Sequence, residues 1–298
     1  MDLKGIIPPL VTALNHDETI DVQGLKRIVR HMLTGGVHGI FALGSAGEFA
    51  ALSDDAKIKV METVVEEVAG KAPVIAGTGD AGSKRALENT KIAQKIGVDA
   101  AVLVPPYYFL VPGQEEIYNF YREIADAVDI PIVIYNNPAL TKIMVGLETV
   151  VKLADHQKIV AIKDSSSNFV HFQRLLFSLK GRGDFKIFQG DEDLIAASVL
   201  LGADGAVSAL ANLVPQLCVS LYQAAHRRDI EKALELQGKL TNFFGIYGEE
   251  GKTWTAGLKY ALKLIGLCGE TVTRPFLPLN EMEKREVEKV VRREGLLS

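Results

Sequence analysis

Lys163 is the residue in this 298-residue chain whose type and position point most directly to chemistry. It closes the apolar run Ile159-Val160-Ala161-Ile162, and two-residue alternation along a strand places Ile159, Ala161 and Lys163 on one face. If that face lines a closed sheet, the lysine is shielded from water. Desolvation disfavours the ammonium and favours the neutral amine, the form that attacks a ketone to give a Schiff base. The adjacent acid, Asp164, is expected on the opposite face, where it does not pair with the amine. Tyr135 ends the strand pattern before it, so its phenol is expected near Lys163, able to carry protons during carbinolamine breakdown and C–C bond making or breaking. A third candidate is the turn Gly44-Ser45-Ala46-Gly47-Glu48. Small residues between a strand and a helix can present successive backbone N–H groups to a carboxylate, with the Ser45 hydroxyl alongside. Tyr107 and Tyr108 follow two prolines, which fix the direction of their loop.

Other chemistries find less support. Gly77-Thr78-Gly79-Asp80-Ala81-Gly82 has the spacing of a dinucleotide-binding turn, but that motif needs an acid at the end of the next strand. Asp99 begins that strand instead. The six histidines are scattered without His-x-x-x-His spacing, so no metal is expected. There is no Gly-x-Ser-x-Gly elbow or P-loop, and no cofactor is called for. Cys218 and Cys268 lie in apolar helical patterns, and Cys-x-x-Cys is absent.

The elements that must position these groups are eight short apolar runs alternating with longer amphipathic ones. The runs are Gly5–Leu10, Gly39–Leu43, Val74–Ala76, Ala100–Val104, Ile132–Tyr135, Ile159–Lys163, Lys186–Gln189 and Gly205–Ser208. Ser53 before Asp54-Asp55 reads as a helix N-cap, and Gly97 and Gly202 read as helix stops. The similar segments Gly97-Val98-Asp99-Ala100 and Gly202-Ala203-Asp204-Gly205 hint at a repeated βα unit. Eight such units predict a (β/α)₈ TIM barrel over 1–226, whose active site gathers at the C-terminal strand ends. Three further helical stretches, Ile230–Phe244, Thr255–Ile265 and Glu281–Arg293, predict a C-terminal helical annex over 227–298 packed on the barrel.

With 33 Lys+Arg against 37 Asp+Glu, nothing in the overall charge invites nucleic acid or an anionic membrane. No run of about 18 apolar residues predicts a membrane span, and the N-terminus has no signal-peptide pattern. A cytoplasmic globular protein is expected.

Together the motifs resemble the dihydrodipicolinate synthase and N-acetylneuraminate lyase superfamily, the pyruvate-type class I aldolases. The resemblance spans the chain and rests on Gly-Ser-Ala-Gly-Glu (44–48), Pro-Tyr-Tyr (106–108), Tyr-Asn-Asn-Pro-Ala-Leu-Thr (135–141) and Ile-Lys-Asp-Ser (162–165). It implies Lys163 as the Schiff-base lysine, Tyr135 as the proton relay, and Ser45 as the next hydroxyl in that relay. Tyr108 matches a relay tyrosine lent across a subunit interface, in a homotetramer built as a dimer of dimers. Ala46 matches the backbone holder of the carboxylate, Val207 the apolar neighbour of the pyruvyl methyl, and Gly190 a carbonyl facing the site.

Dihydrodipicolinate synthases have an arginine two residues after the proline of Tyr-Asn-x-Pro, gripping the aldehyde's carboxylate. Here that position is Leu140, and a charged aldehyde loses a bidentate partner. The motifs lean instead toward the 2-keto-3-deoxy-sugar-acid aldolases, which release pyruvate and an aldehyde. In that case Ser165, Asp191 and Glu192 are candidates for binding a polyol tail. Dihydrodipicolinate synthase and N-acetylneuraminate lyase activities are the alternatives. A non-catalytic, pyruvate-responsive scaffold is a further one, disfavoured because binding needs neither Lys163 nor Tyr135.

Overall fold

The computed structural model describes residues 3–109, 113–248 and 254–297. Eight strands form one parallel sheet: β1 Gly5–Ile6, β2 Ile40–Ala42, β3 Val74–Gly77, β4 Ala100–Leu103, β5 Ile132–Asn136, β6 Ile159–Asp164, β7 Lys186–Gln189 and β8 Gly205–Ala206. The order β1-β8-β7-β6-β5-β4-β3-β2 leaves β1 and β2 to close the ring. They do so through a bridge at Pro9 and Phe41, with Phe41 N–H donating to the Pro8 carbonyl and Leu10 N–H to the Phe41 carbonyl. β1 is shorter than the expected Gly5–Leu10 because Pro8 and Pro9 have no N–H to continue a ladder. The fold is a (β/α)₈ barrel.

One expectation about side-chain direction fails. Ile132 pairs with Ile159, but Val133 pairs with Ala161, so Val160 is an extra residue in β6. Such a bulge reverses the alternation of the strand beyond it. Ile159 therefore joins Ile162 in the cluster between sheet and helices, while Ala161 packs in the barrel interior with Phe41, Val133, Tyr135 and Phe188. Lys163 follows Ala161 on the inner face.

The outer helices are α1 Val22–Thr34, α2 Asp54–Val68, α3 Ser83–Ile96, α4 Gln114–Asp126, a single turn α5 Pro138–Thr141, α6 Leu147–Leu153, α7 Phe169–Ser178, α8 Ile195–Leu201 and α9 Pro215–His226. Their amphipathic spacing buries one stripe, as Leu25, Ile28, Val29 and Met32 do in α1. Ser53 Oγ accepts from Ala56 N–H at the start of α2. Gly97 and Gly202 end α3 and α8 in the left-handed region, at φ 94° and 112°. The repeated Asp99 and Asp204 share a job: their carboxylates accept the amides of Val74 and Ile187, tying a strand to its neighbour.

After the barrel come α10 Ile230–Thr241, a 3-10 turn Asn242–Tyr247, α11 Trp254–Leu264 and α12 Glu281–Arg293. The expected helix Ile230–Phe244 thus tightens into 3-10 geometry over its last residues. Val287, Val290 and Val291 of α12 share a continuous core with α9, α10 and α11. No helix among the described residues is long and apolar enough to cross a membrane.

Candidate active site

β5 and β6 are neighbours in register, with Tyr135 opposite Lys163. Both side chains are buried, and the Lys163 Nζ lies 4.0 Å above the Tyr135 ring and 5.4 Å from the Phe41 ring centre. Two aromatic faces thus surround the amine, and no carboxylate among the described residues reaches ion-pairing distance of it. Asp164 is turned away. It accepts from Asn136 Nδ2 and from the Ser166 amide and hydroxyl, and it lies 3.4 Å from His171 Nε2.

The Tyr135 hydroxyl is 3.3 Å from Ser45 Oγ and accepts a hydrogen bond from Asn137 Nδ2 at 3.0 Å. Burial works to raise its pKa. The Lys163 charge and the hydrogen bonds from Ser45 and Asn137 outweigh that, and the phenol sits below its ordinary 10. A phenol so placed exchanges protons more readily than a free one.

The Gly44–Glu48 turn follows β2. Its Gly47 and Glu48 amides bond back to the Gly44 and Ser45 carbonyls. The Ser45 and Ala46 amides take no partner among the described residues and remain as donors for an anion. Glu48, at φ 56°, turns inward instead of toward the mouth. Its carboxylate pairs with Lys259 of α11 and accepts from the Thr273 amide and hydroxyl, at 2.7 Å each. The turn beside Tyr135 is therefore clamped to the annex by a fully buried ion pair.

Val207 belongs to the interior cluster that contains Tyr135 and Phe188. Gly190 N–H donates to the Asp164 carbonyl, and a Cβ built there would lie 2.8 Å from that carbonyl oxygen and 2.0 Å from Ser165 Oγ, so a side chain there displaces the β6 loop. Ser165 N–H donates to the Asn136 carbonyl, which holds the β6 loop against β5. Tyr108 stands apart from the cluster. It is 86% exposed, at φ 80°, with its ring edge-on to Phe109.

Glu192 does not fit the hydroxyl-binding part suggested for it. Its carboxylate accepts from Ser208 Oγ, the Leu210 amide and Tyr247 Oη, so it ties the β7 and β8 loops to the 3-10 turn before α11. Packing explains two glycines of the Gly77–Gly82 segment: a Cβ at Gly77 would meet the Leu43 carbonyl oxygen at 2.0 Å and one at Gly79 the Val104 side chain at 2.8 Å, whereas Gly82 faces open space. Asn137 was not anticipated as the partner of the phenol, although it lies only two residues beyond it. Lys259 and Thr273 carry no local signal, since Thr273 is 225 residues from Glu48 in the chain.

Outward from Ser45 and Asn137 opens a cleft of about 600 Å³, bordered by Phe49, Val104, Tyr107, Leu140, Trp254 and Phe276 among others. A (β/α)₈ barrel with a buried lysine, a hydrogen-bonded tyrosine and free turn amides at one mouth defines the class. The sequence model of the Dihydrodipicolinate synthetase family matches residues 2–294, and the chain belongs to that family. A probable 2-dehydro-3-deoxy-D-pentonate aldolase, YjhH, of Escherichia coli K12 is 33% identical over 297 residues, 99% of this chain and 98% of that protein. Relatives in the same range of identity carry the name 4-hydroxy-tetrahydrodipicolinate synthase. The dihydrodipicolinate synthase of Bacteroides thetaiotaomicron superposes with a TM-score of 0.94 at 37% identity, covering 98% of this chain and all of that one. YagE of E. coli K12, solved with pyruvate, superposes at 0.94 with 30% identity, covering 99% of this chain and 100% of YagE.

Proposed function

We propose that the protein is a lysine Schiff-base aldolase that reversibly cleaves a 2-keto-3-deoxy sugar acid to pyruvate and an aldehyde. The observation that carries this is the packing of Lys163, Tyr135 and Ser45 around one buried point, with unpartnered amides beside it. The neutral Lys163 amine adds to the 2-oxo carbon, and loss of water gives an iminium. The C3–C4 bond then breaks. Its electron pair passes to the iminium as an enamine, while the C4 hydroxyl proton passes to Tyr135. Protonation at C3 and hydrolysis of the iminium release pyruvate and restore the amine. Ser45 and a partner subunit's copy of Tyr108 extend the proton path in a homotetramer. The Ala46 amide holds the carboxylate, Val207 packs against the methyl end, and Ser165 and Gly190 border the chain beyond it.

The family membership and the pyruvate in YagE support a 2-oxo-acid substrate. Leu140 supports an uncharged aldehyde, because no guanidinium stands where the synthases place one. Synthase activity remains the second reading, favoured by the names of most relatives compared. Borohydride reduction with pyruvate is expected to leave a pyruvyl-derived adduct on the Lys163 peptide, and an unmodified peptide refutes the mechanism. Aspartate semialdehyde, glyceraldehyde and N-acetylmannosamine, compared as partners of pyruvate, separate the substrates. A strong preference for the semialdehyde overturns the interpretation of Leu140.

A further inference from the structure

The cleft outside the lysine centre has a composition that a polyol does not explain. Its described lining is dominated by Phe49, Val104, Tyr107, Leu140, Trp254 and Phe276. The polar side chains among its walls are mostly committed elsewhere. Ser45 and Asn137 serve Tyr135, and Thr141 Oγ1 donates to the Asn137 and Ile143 carbonyls. Glu48, the one carboxylate in the described lining, is locked to Lys259 and Thr273. Among the described residues, what remains polar is the Tyr107 and Thr255 hydroxyls and the Trp254 indole N–H. Leu140 and Phe276 are 60% and 42% exposed at the rim, apolar surface that a bound chain would cover.

We propose that this cleft is an apolar subsite, giving the protein a further activity: aldol addition of pyruvate to aldehydes with uncharged aryl or branched-alkyl tails. The products are 4-hydroxy-2-oxo acids carrying that tail. The inference rests on the Schiff-base mechanism above. The enamine carbon of bound pyruvate bonds to the aldehyde carbon, and Tyr135 returns its proton to the new alkoxide. Water then hydrolyses the iminium, so no further reactant is required. The cleft shares Ser45 and Asn137 with the phenol's hydrogen-bond cluster, so a tail attached to an aldehyde reacting there extends along the apolar walls. Its volume of about 600 Å³ exceeds what a phenyl-sized group needs.

The test compares propanal with 3-phenylpropanal at saturating pyruvate, since the two share a reacting group and differ only in the tail. kcat/KM is expected to be at least about tenfold higher for 3-phenylpropanal, a size typical of burying several apolar carbons. Leu140→Arg and Phe276→Asn, both at exposed rim positions, are each expected to lower that ratio severalfold. Leu140→Arg should also raise the relative use of aspartate semialdehyde. A ratio near or below one in the wild type, or a ratio that neither variant moves, overturns the subsite. Borohydride trapping of pyruvate on Lys163 needs no aldehyde and is scored separately. A trapped adduct with no tail preference refutes this subsite alone, whereas no adduct refutes the mechanism beneath it.

Discussion

The buried Glu48–Lys259 pair offers a measurable link between the annex and the active-site turn. Both side chains are essentially inaccessible, at 1% and 0% exposure. Lys259 also donates to the Thr271 carbonyl at 2.8 Å, and Glu48 takes both donors of Thr273. Burial pushes the Lys259 pKa down and the facing carboxylate pushes it up, with burial prevailing. Lys259→Met keeps most of the apolar stem but leaves the Glu48 carboxylate buried without a countercharge. Breaking one side of such a pair costs about 3–5 kcal/mol. At roughly 2 °C per kcal/mol for a chain of this size, the melting temperature should fall by about 6–10 °C. Replacing both partners, Glu48→Gln with Lys259→Met, removes the stranded charge, while the carboxamide oxygen introduced at position 48 still accepts from Thr273. That double variant should recover more than half of the loss. Urea and thermal unfolding of the four proteins form a double-mutant cycle. The rate of borohydride-trapped adduct formation reports whether the Ser45 turn moves with the clamp. A single variant melting within about 1 °C of wild type, or a double variant as unstable as the sum of the singles, refutes the reasoning.

Two further outcomes are expected. Ser45→Ala removes a hydrogen bond that helps hold the Tyr135 phenol below its ordinary value, so its ionisation should move to higher pH in a difference-absorbance titration. Because Ser45 belongs to the proposed proton relay, kcat should fall on the order of a hundredfold, and an unchanged titration with full activity contradicts the relay. Glu192 has its pKa raised above 4.5, first by burial, with Asp191 adding to it against the bonds from Ser208, Tyr247 and Leu210. The folded protein therefore holds this proton more tightly than the unfolded chain. The associated stability is complete below about 4.5 and is lost as pH rises through the folded value. Glu192→Gln cannot ionise, so urea midpoints at pH 4.5 and at neutrality should differ less in the variant than in wild type; equal differences refute the assignment.

Much of the barrel was legible because periodicity and punctuation are local. The β-branched runs became strands within one or two residues of their expected ends, except where Pro8 and Pro9 cut β1 to Gly5–Ile6. Lys163 and Tyr135 were legible as strand-end residues on adjoining strands, and their register confirms that they face one another. The phase of β6 was not legible, since one unpaired residue, Val160, decides it and alternation cannot reveal a bulge. Glu192 looked available because a loop acid is usually solvated, yet three donors from elsewhere in the fold converge on it.

The eight alternating units, the helix caps and stops, the lysine and tyrosine at strand ends, and the leucine at position 140 can all be read along the chain. Those features depend on neighbours a few residues away, where hydrophobic period and backbone preference operate. What had to wait for the fold is that Asn137 joins Ser45 on the phenol, that Glu48 serves Lys259, and that the described walls of the outer cleft are apolar. The Ser45 and Glu48 contacts depend on which distant side chain takes up a polar atom's hydrogen-bonding capacity. That choice is made when the barrel closes and the annex packs against it, bringing together residues that lie more than two hundred positions apart.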